Sequence, residues 1–172
     1  MSNTLSTLSI DVMRLRFDSD RSFDSIRAAL LGRMGRITSD DIAKALASVT
    51  TPADFERAMD GFAGPSGFML FSEIDHSHYL PLYGVKRRAT RLVFGNPAVA
   101  ATMTQHDVIA ALFAPVGLLL YEADDGEGST VIYDQPSSLM QAQNNPALLS
   151  AARALEAKML ALVSEATGVI AP

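Results

Sequence analysis

Apolar and polar residues recur with distinct periods along this chain, and the changes of period mark its elements. Leu8, Ile10 and Val12 alternate with polar neighbours, the pattern of a half-buried strand. The phase then moves to Met13, Leu15 and Phe17, so a bulge near Val12 is expected, because one extra residue flips side-chain parity. From about Ser22 the period becomes helical, with Phe23, Ile26, Leu30 and Met34 on one stripe. A second helix begins at Thr38 or Ser39 and buries Ile42, Leu46 and Val49. A third opens with Thr51 as cap and Pro52 at its first position, and its stripe is Phe55, Met59 and Phe62. Gly61, Gly64, Pro65 and Gly67 break the chain after it.

Strands dominate the middle. Phe68 to His76 reads as one and Arg91 to Phe94 as another, separated by a loop rich in aromatic and basic residues. Gly95-Asn96-Pro97 then opens a helix that the spacing carries to about Phe113, where Pro115 stops it. Val116 to Glu122 and Thr130 to Asp134 form a hairpin around Asp124-Asp125-Gly126-Glu127-Gly128. Pro146 opens a long last helix with Leu148, Ala152, Leu155, Met159 and Leu162 on its buried stripe, and a frayed tail is expected over Gly168 to Pro172. This order predicts an α+β fold, a mainly antiparallel sheet with helices packed largely on one face.

Composition narrows the function classes. The 172 residues suit a single domain, and 48% hydrophobic residues suffice for a real core. A net charge of −5 argues against general nucleic-acid binding. The absence of cysteine excludes disulfides, thiolate metal sites and a cysteine nucleophile. Met1 to Ser6 lacks the order of a secretory signal, and no apolar run is long enough to span a bilayer, so a cytoplasmic protein with no membrane partner is expected.

Candidate chemistry centres on two of the three histidines. Strand parity places His76 with Phe68, Leu70 and Ile74, and helical spacing places His106 with Val99, Met103, Ala110 and Phe113. Both are therefore expected to point inward, either as core histidines satisfied by a neighbour or as acid–base groups. Asp75-His76-Ser77-His78 contains a His-x-His, so His76, His78 and His106 form a conceivable metal set, though no further ligand spacing supports it. Asn96 is explained by a helix cap. An anion site there would need a basic partner from Lys86, Arg87, Arg88 or Arg91. Asp134 either caps a turn or orients a histidine, and Glu122 is a general base if it is buried. No nucleophile elbow, P-loop or dinucleotide fingerprint occurs, and nothing points to a cofactor.

Several runs carry a family resemblance. Gly67 to His76 is a strand ending in Asp-His, Leu92 to Pro97 contains a Gly-Asn-Pro motif, and Pro115 to Tyr121 with Tyr133 to Met140 make a hairpin and closing turn. Together they resemble the domain-of-unknown-function 302 family, over a core of residues 67–167. The helical segment 35–63 departs from the compact family pattern and suggests a longer subgroup, which also carries Met103 and His106-Asp107. The resemblance implies a small α+β fold, often paired as a homodimer, and implies no reaction.

Three functions follow as expectations. The first is a small-molecule pocket with His76, His106 and Asp134 as catalytic groups for an isomerase, lyase or hydrolase step. Asp75, Asn96, Met103, Asp107, Glu122 and Tyr133 would bind the ligand. The second is a ligand-binding or sensing module without chemistry. The third is a structural or interaction protein that presents the extra helices to a partner.

Overall fold

A computed structural model describes residues 3–124, 126–141 and 144–170. Met1 and Ser2, Asp125 of the hairpin turn, and Ala171 and Pro172 of the tail lie outside the described residues. In chain order the elements are β1 (Arg14–Ser19), α1 (Phe23–Arg33), β2 (Gly35–Arg36), α2 (Ser39–Leu46), α3 (Pro52–Asp60), β3 (Met69–Asp75) and β4 (Ala89–Gly95). There follow α4 (Pro97–Thr104), β5 (Val116–Glu122), β6 (Ser129–Asp134), α5 (Pro136–Met140) and α6 (Pro146–Thr167).

Capping chemistry explains where the helices begin. Thr38 and Asp41 form a reciprocal capping box, Thr51 accepts from the Asp54 N–H ahead of Pro52, and Asn145 accepts from Leu148 N–H at the head of α6. Gly168 ends α6 in the left-handed conformation, with φ of 74° and its N–H donating to Ser164 O. Val169 beyond it packs against the core, so the expected fraying does not begin at Gly168.

The six strands form one sheet in the order β1-β6-β5-β4-β3-β2, antiparallel except where the short β2 runs parallel to β3. The α+β reading is therefore correct. The core lies between the sheet and helices α1 and α6. Phe17, Leu92, Phe94, Leu118, Leu120 and Val131 on the sheet meet Ile26, Leu30, Leu155 and Met159 from the helices. Full burial of such a side chain contributes roughly 1.5–3 kcal/mol. The opposite face is largely open. At one end α2 and α3 cover it, where Ile37, Met59 and Met69 form a second apolar cluster. Met69 faces away from Leu70, so this cluster lies across the sheet from the main core.

Three expectations fail here. Leu8, Ile10 and Val12 form no strand and are exposed; pairing begins at Arg14, and β6 ends opposite it at Asp134. The helix after Asn96 stops at Thr104 instead of Phe113. Asp107 accepts from Ile109 N–H at 3.0 Å and starts a separate 3₁₀ turn over Val108–Phe113. The strand through Phe68–His76 contains a bulge: Leu70 pairs with Phe94 but Ser72 pairs with Val93, leaving Phe71 as the extra residue.

Candidate functional site

The bulge and the new cap together remove the expected histidine pair. Past Phe71 the side-chain parity is reversed, so Glu73 and Asp75 face the helices with Leu92 and Thr90. Alternation then carries Ile74 and His76 to the other face. Ile74 is 42% exposed, and His76 is half-buried with its Nδ1 2.5 Å from the Tyr79 hydroxyl. His106 lies after the end of α4, outside helical phase, and is exposed. Neither histidine belongs to the core. His76 N–H bonds Ala89 O at the start of β4, whereas α4 follows the other end of that strand, about 20 Å away along it. His78 is exposed and pairs with Asp75 at 3.3 Å, and among the described residues no three metal-ligating side chains cluster. The His76, His78 and His106 set is not assembled.

The other candidate polar groups are engaged locally. Asp134 is held by both arms of Arg14, at 2.6 and 3.0 Å, and orients an arginine instead of a histidine. Glu122 accepts from the backbone N–H of Arg88 at 2.8 Å and from its Nε at 2.6 Å. Burial pushes the Glu122 carboxyl up, but these Arg88 contacts outweigh it and hold the group below the ordinary range. Asp75 is likewise held low, chiefly by hydrogen bonding to Ser77. Asp107 is a cap. Tyr133 stacks on Phe17 with ring centroids 5.8 Å apart, inside the core. Its hydroxyl is buried without a hydrogen-bond partner among the described residues, and burial, assisted by the Glu156 charge, pushes it up to about 12.

Two of the expected residues do come together, in a cavity of about 260 Å³ at the end of the sheet. Asn96 and Met103 both line it, joined by Val99, Ala100, Phe71, Pro115 and Leu155. Local sequence explains the wall: Asn96 caps α4 through Ala98 N–H at 2.8 Å, and one helical turn then brings Val99, Ala100 and Met103 to the same side. Phe71 reaches it because the bulge leaves that residue outside the regular ladder. Gly95 lies between Phe71 and Pro115: a Cβ there would meet the Phe71 ring at 3.5 Å and Pro115 at 3.6 Å, ordinary contact distances. Phe71 also belongs to the α2–α3 cluster, so the segment 35–63 buttresses one wall of the cavity. The Asn96 side chain is the polar one in this lining, and both of its ends are engaged, as Nδ2 donates to Gly67 O at 3.0 Å.

Phe71, Pro115 and Leu155 were not apparent as site residues. Leu155 is legible only as a core position of α6, and nothing in an isolated strand pattern marks Phe71 as a bulge. A broader groove lies on the open face next to this cavity; Arg14, Arg91, Gly117 and Leu119 line it, and Pro115 and Val116 are common to both.

Comparison with known proteins agrees with the architecture. The crystal structure of uncharacterized conserved protein DUF302 from Bacillus stearothermophilus superposes with a TM-score of 0.62, covering 89% of this chain and 97% of that one. Sequence identity is 16%, so this likeness speaks to the fold. No curated protein matches the chain. The family model described as Domain of unknown function DUF302 matches residues 44–166, beginning within α2 and ending near the close of α6. That match spans more than two thirds of the sequence and includes the Asn96 cavity, and the chain therefore belongs to the DUF302 family.

Proposed function

We propose that the protein binds a small, largely apolar molecule in the Asn96–Met103 cavity and does not transform it. The observation that carries this reading is the cavity itself. About 260 Å³ of space is lined by Phe71, Val99, Met103, Pro115 and Leu155, and its one polar side chain already has partners at both ends. A dry apolar cavity of roughly 150 Å³ takes up benzene, so this one has room for a two-ring or medium-chain compound. Acid–base turnover needs a titratable group within hydrogen-bond reach of the ligand. His76, His106 and Asp134 do not line this space, which favours binding without chemistry.

The test is titration of the chain with 1-octanol and with naphthalene, followed through the ¹³C-labelled methionine methyls. Saturable shifts confined to Met103 support the reading, and Ala100→Phe, which fills the cavity, should abolish them with the fold intact. Shifts absent at Met103, or unchanged in Ala100→Phe, would defeat it.

Pairing of two copies, which the family resemblance implies, has its own support. Leu5, Leu8, Ile10 and Val12 ahead of β1 are exposed, and residues 5–12 pair with no strand among the described residues. Light scattering on the full chain and on one lacking residues 1–12 tests it. A dimer converted to monomer by the truncation supports pairing through this segment, and a monomeric full chain overturns it.

A further inference from the structure

We propose that the ligand is an amphipathic carboxylate, its apolar part in the Asn96–Met103 cavity and its carboxylate held by Arg91 on the open face of the sheet. This rests on the binding reading above and adds the ligand's class. Arg91 lies on β4 between Leu92, which is buried in the core, and Thr90, so its side chain leaves the sheet on the open side. It faces Gly117 of β5, where a Cβ would stand 3.2 Å from Arg91 Nε and 3.3 Å from Nη2. The guanidinium therefore lies against bare backbone, in a seat that any side chain at position 117 would crowd.

The charge of Arg91 is unmatched. Arg14, Arg16, Arg27, Arg33, Arg57, Arg87 and Arg88 each contact a carboxylate. Arg91 contacts none among the described residues. Arg14 lines the same groove but is neutralised by Asp134, so among the described residues the groove's free cation is Arg91. Its planar fork of donors suits a carboxylate bound through both oxygens.

The seat and the cavity adjoin. Pro115 and Val116 line both, and Gly117 follows them on β5. Pro115 and Gly117 are two positions apart along the extended chain, about 7 Å, which a short alkyl chain spans. A molecule with its tail between α4 and Pro115 could thus lay its carboxylate across the guanidinium while the tail stays out of water.

Calorimetric titration of the full chain with sodium octanoate and with 1-octanol tests this. Octanoate should bind at least about fivefold more tightly than octanol, and added salt should weaken octanoate alone. Arg91→Gln, at an exposed position and so compatible with folding, should bring octanoate to the octanol level and leave octanol unchanged. Equal affinities in the unmodified protein, or octanoate binding indifferent to Arg91→Gln, would overturn the carboxylate assignment and leave apolar binding standing. Octanoate that still binds Ala100→Phe would overturn the link between the seat and the cavity. Binding of neither compound would overturn both readings.

Discussion

Asn96 joins the start of α4 to the start of β3: its Nδ2 donates to the Gly67 carbonyl at 3.0 Å while its Oδ1 accepts from Ala98 N–H at 2.8 Å. One buried side chain thus caps a helix and ties down the turn that leads into the bulged strand. Asn96→Ala removes a cap and leaves a carbonyl without its donor, with an expected loss of about 2 kcal/mol or more. Asn96→Asp keeps the cap but turns an acceptor toward Gly67 O, and should be at least as costly at neutral pH. Urea melts of the two variants check the order. Equal stability of all three proteins would mean that the Gly67 bond contributes nothing.

Gly64 and Gly35 set the place where the segment 35–63 leaves the sheet and returns. Their N–H groups share one acceptor, Phe68 O, at 3.0 and 2.9 Å. A Cβ on Gly64 would stand 2.6 Å from Arg33 O and nearer still to Gly35 N, all of it backbone that cannot turn aside. Gly64→Ala should therefore cost more than about 3 kcal/mol, measured as a drop in melting temperature. A second signature should accompany it: stronger amide exchange in α2 and α3, whose cluster depends on that junction. Gly32, which has open space around it, is the matched control and should accept alanine without loss.

The buried Tyr133 hydroxyl carries a pH dependence. An unfolded tyrosine ionises near pH 10, whereas burial raises this one to about 12. Between those values the unfolded chain holds fewer protons than the folded one, so stability falls as pH rises from 10 to 12, by at most ~3 kcal/mol. Tyr133→Phe keeps the stack on Phe17 and removes an unpartnered polar atom. It should match or exceed the parent near neutral pH and lose less stability above pH ~10. Denaturation at about pH 8 and about pH 11 gives the comparison, and parallel losses in both proteins would count against the Tyr133 origin.

Much of the fold was legible because its signals are local. Thr38, Thr51 and Asn96 each cap a helix through an N–H two or three residues away, so type and position alone reveal them. The β5–β6 hairpin and the buried stripe of α6 follow from period and turn chemistry in the same way. The site was less legible, because it depends on parity and phase. One extra residue at Phe71 reverses every side chain after it, and one competing cap at Asp107 ends the helical phase that would have turned His106 inward.

By itself, then, the sequence determined the α+β class, most helix starts, the core stripe of α6 and the place of Asn96 and Met103 on one helix. Each of these depends on neighbours within a turn or two of chain. Tertiary structure decided the rest. It carried His76 and His106 out of the core, matched Asp134 to Arg14, and closed a cavity from Phe71, Met103, Pro115 and Leu155. Those four residues come from β3, α4, the residue ahead of β5 and α6, and only the packing of sheet against helices brings them to one surface. The seat of Arg91 on Gly117 has the same origin, since strand register, not sequence spacing, sets a guanidinium against a missing side chain on the neighbouring strand.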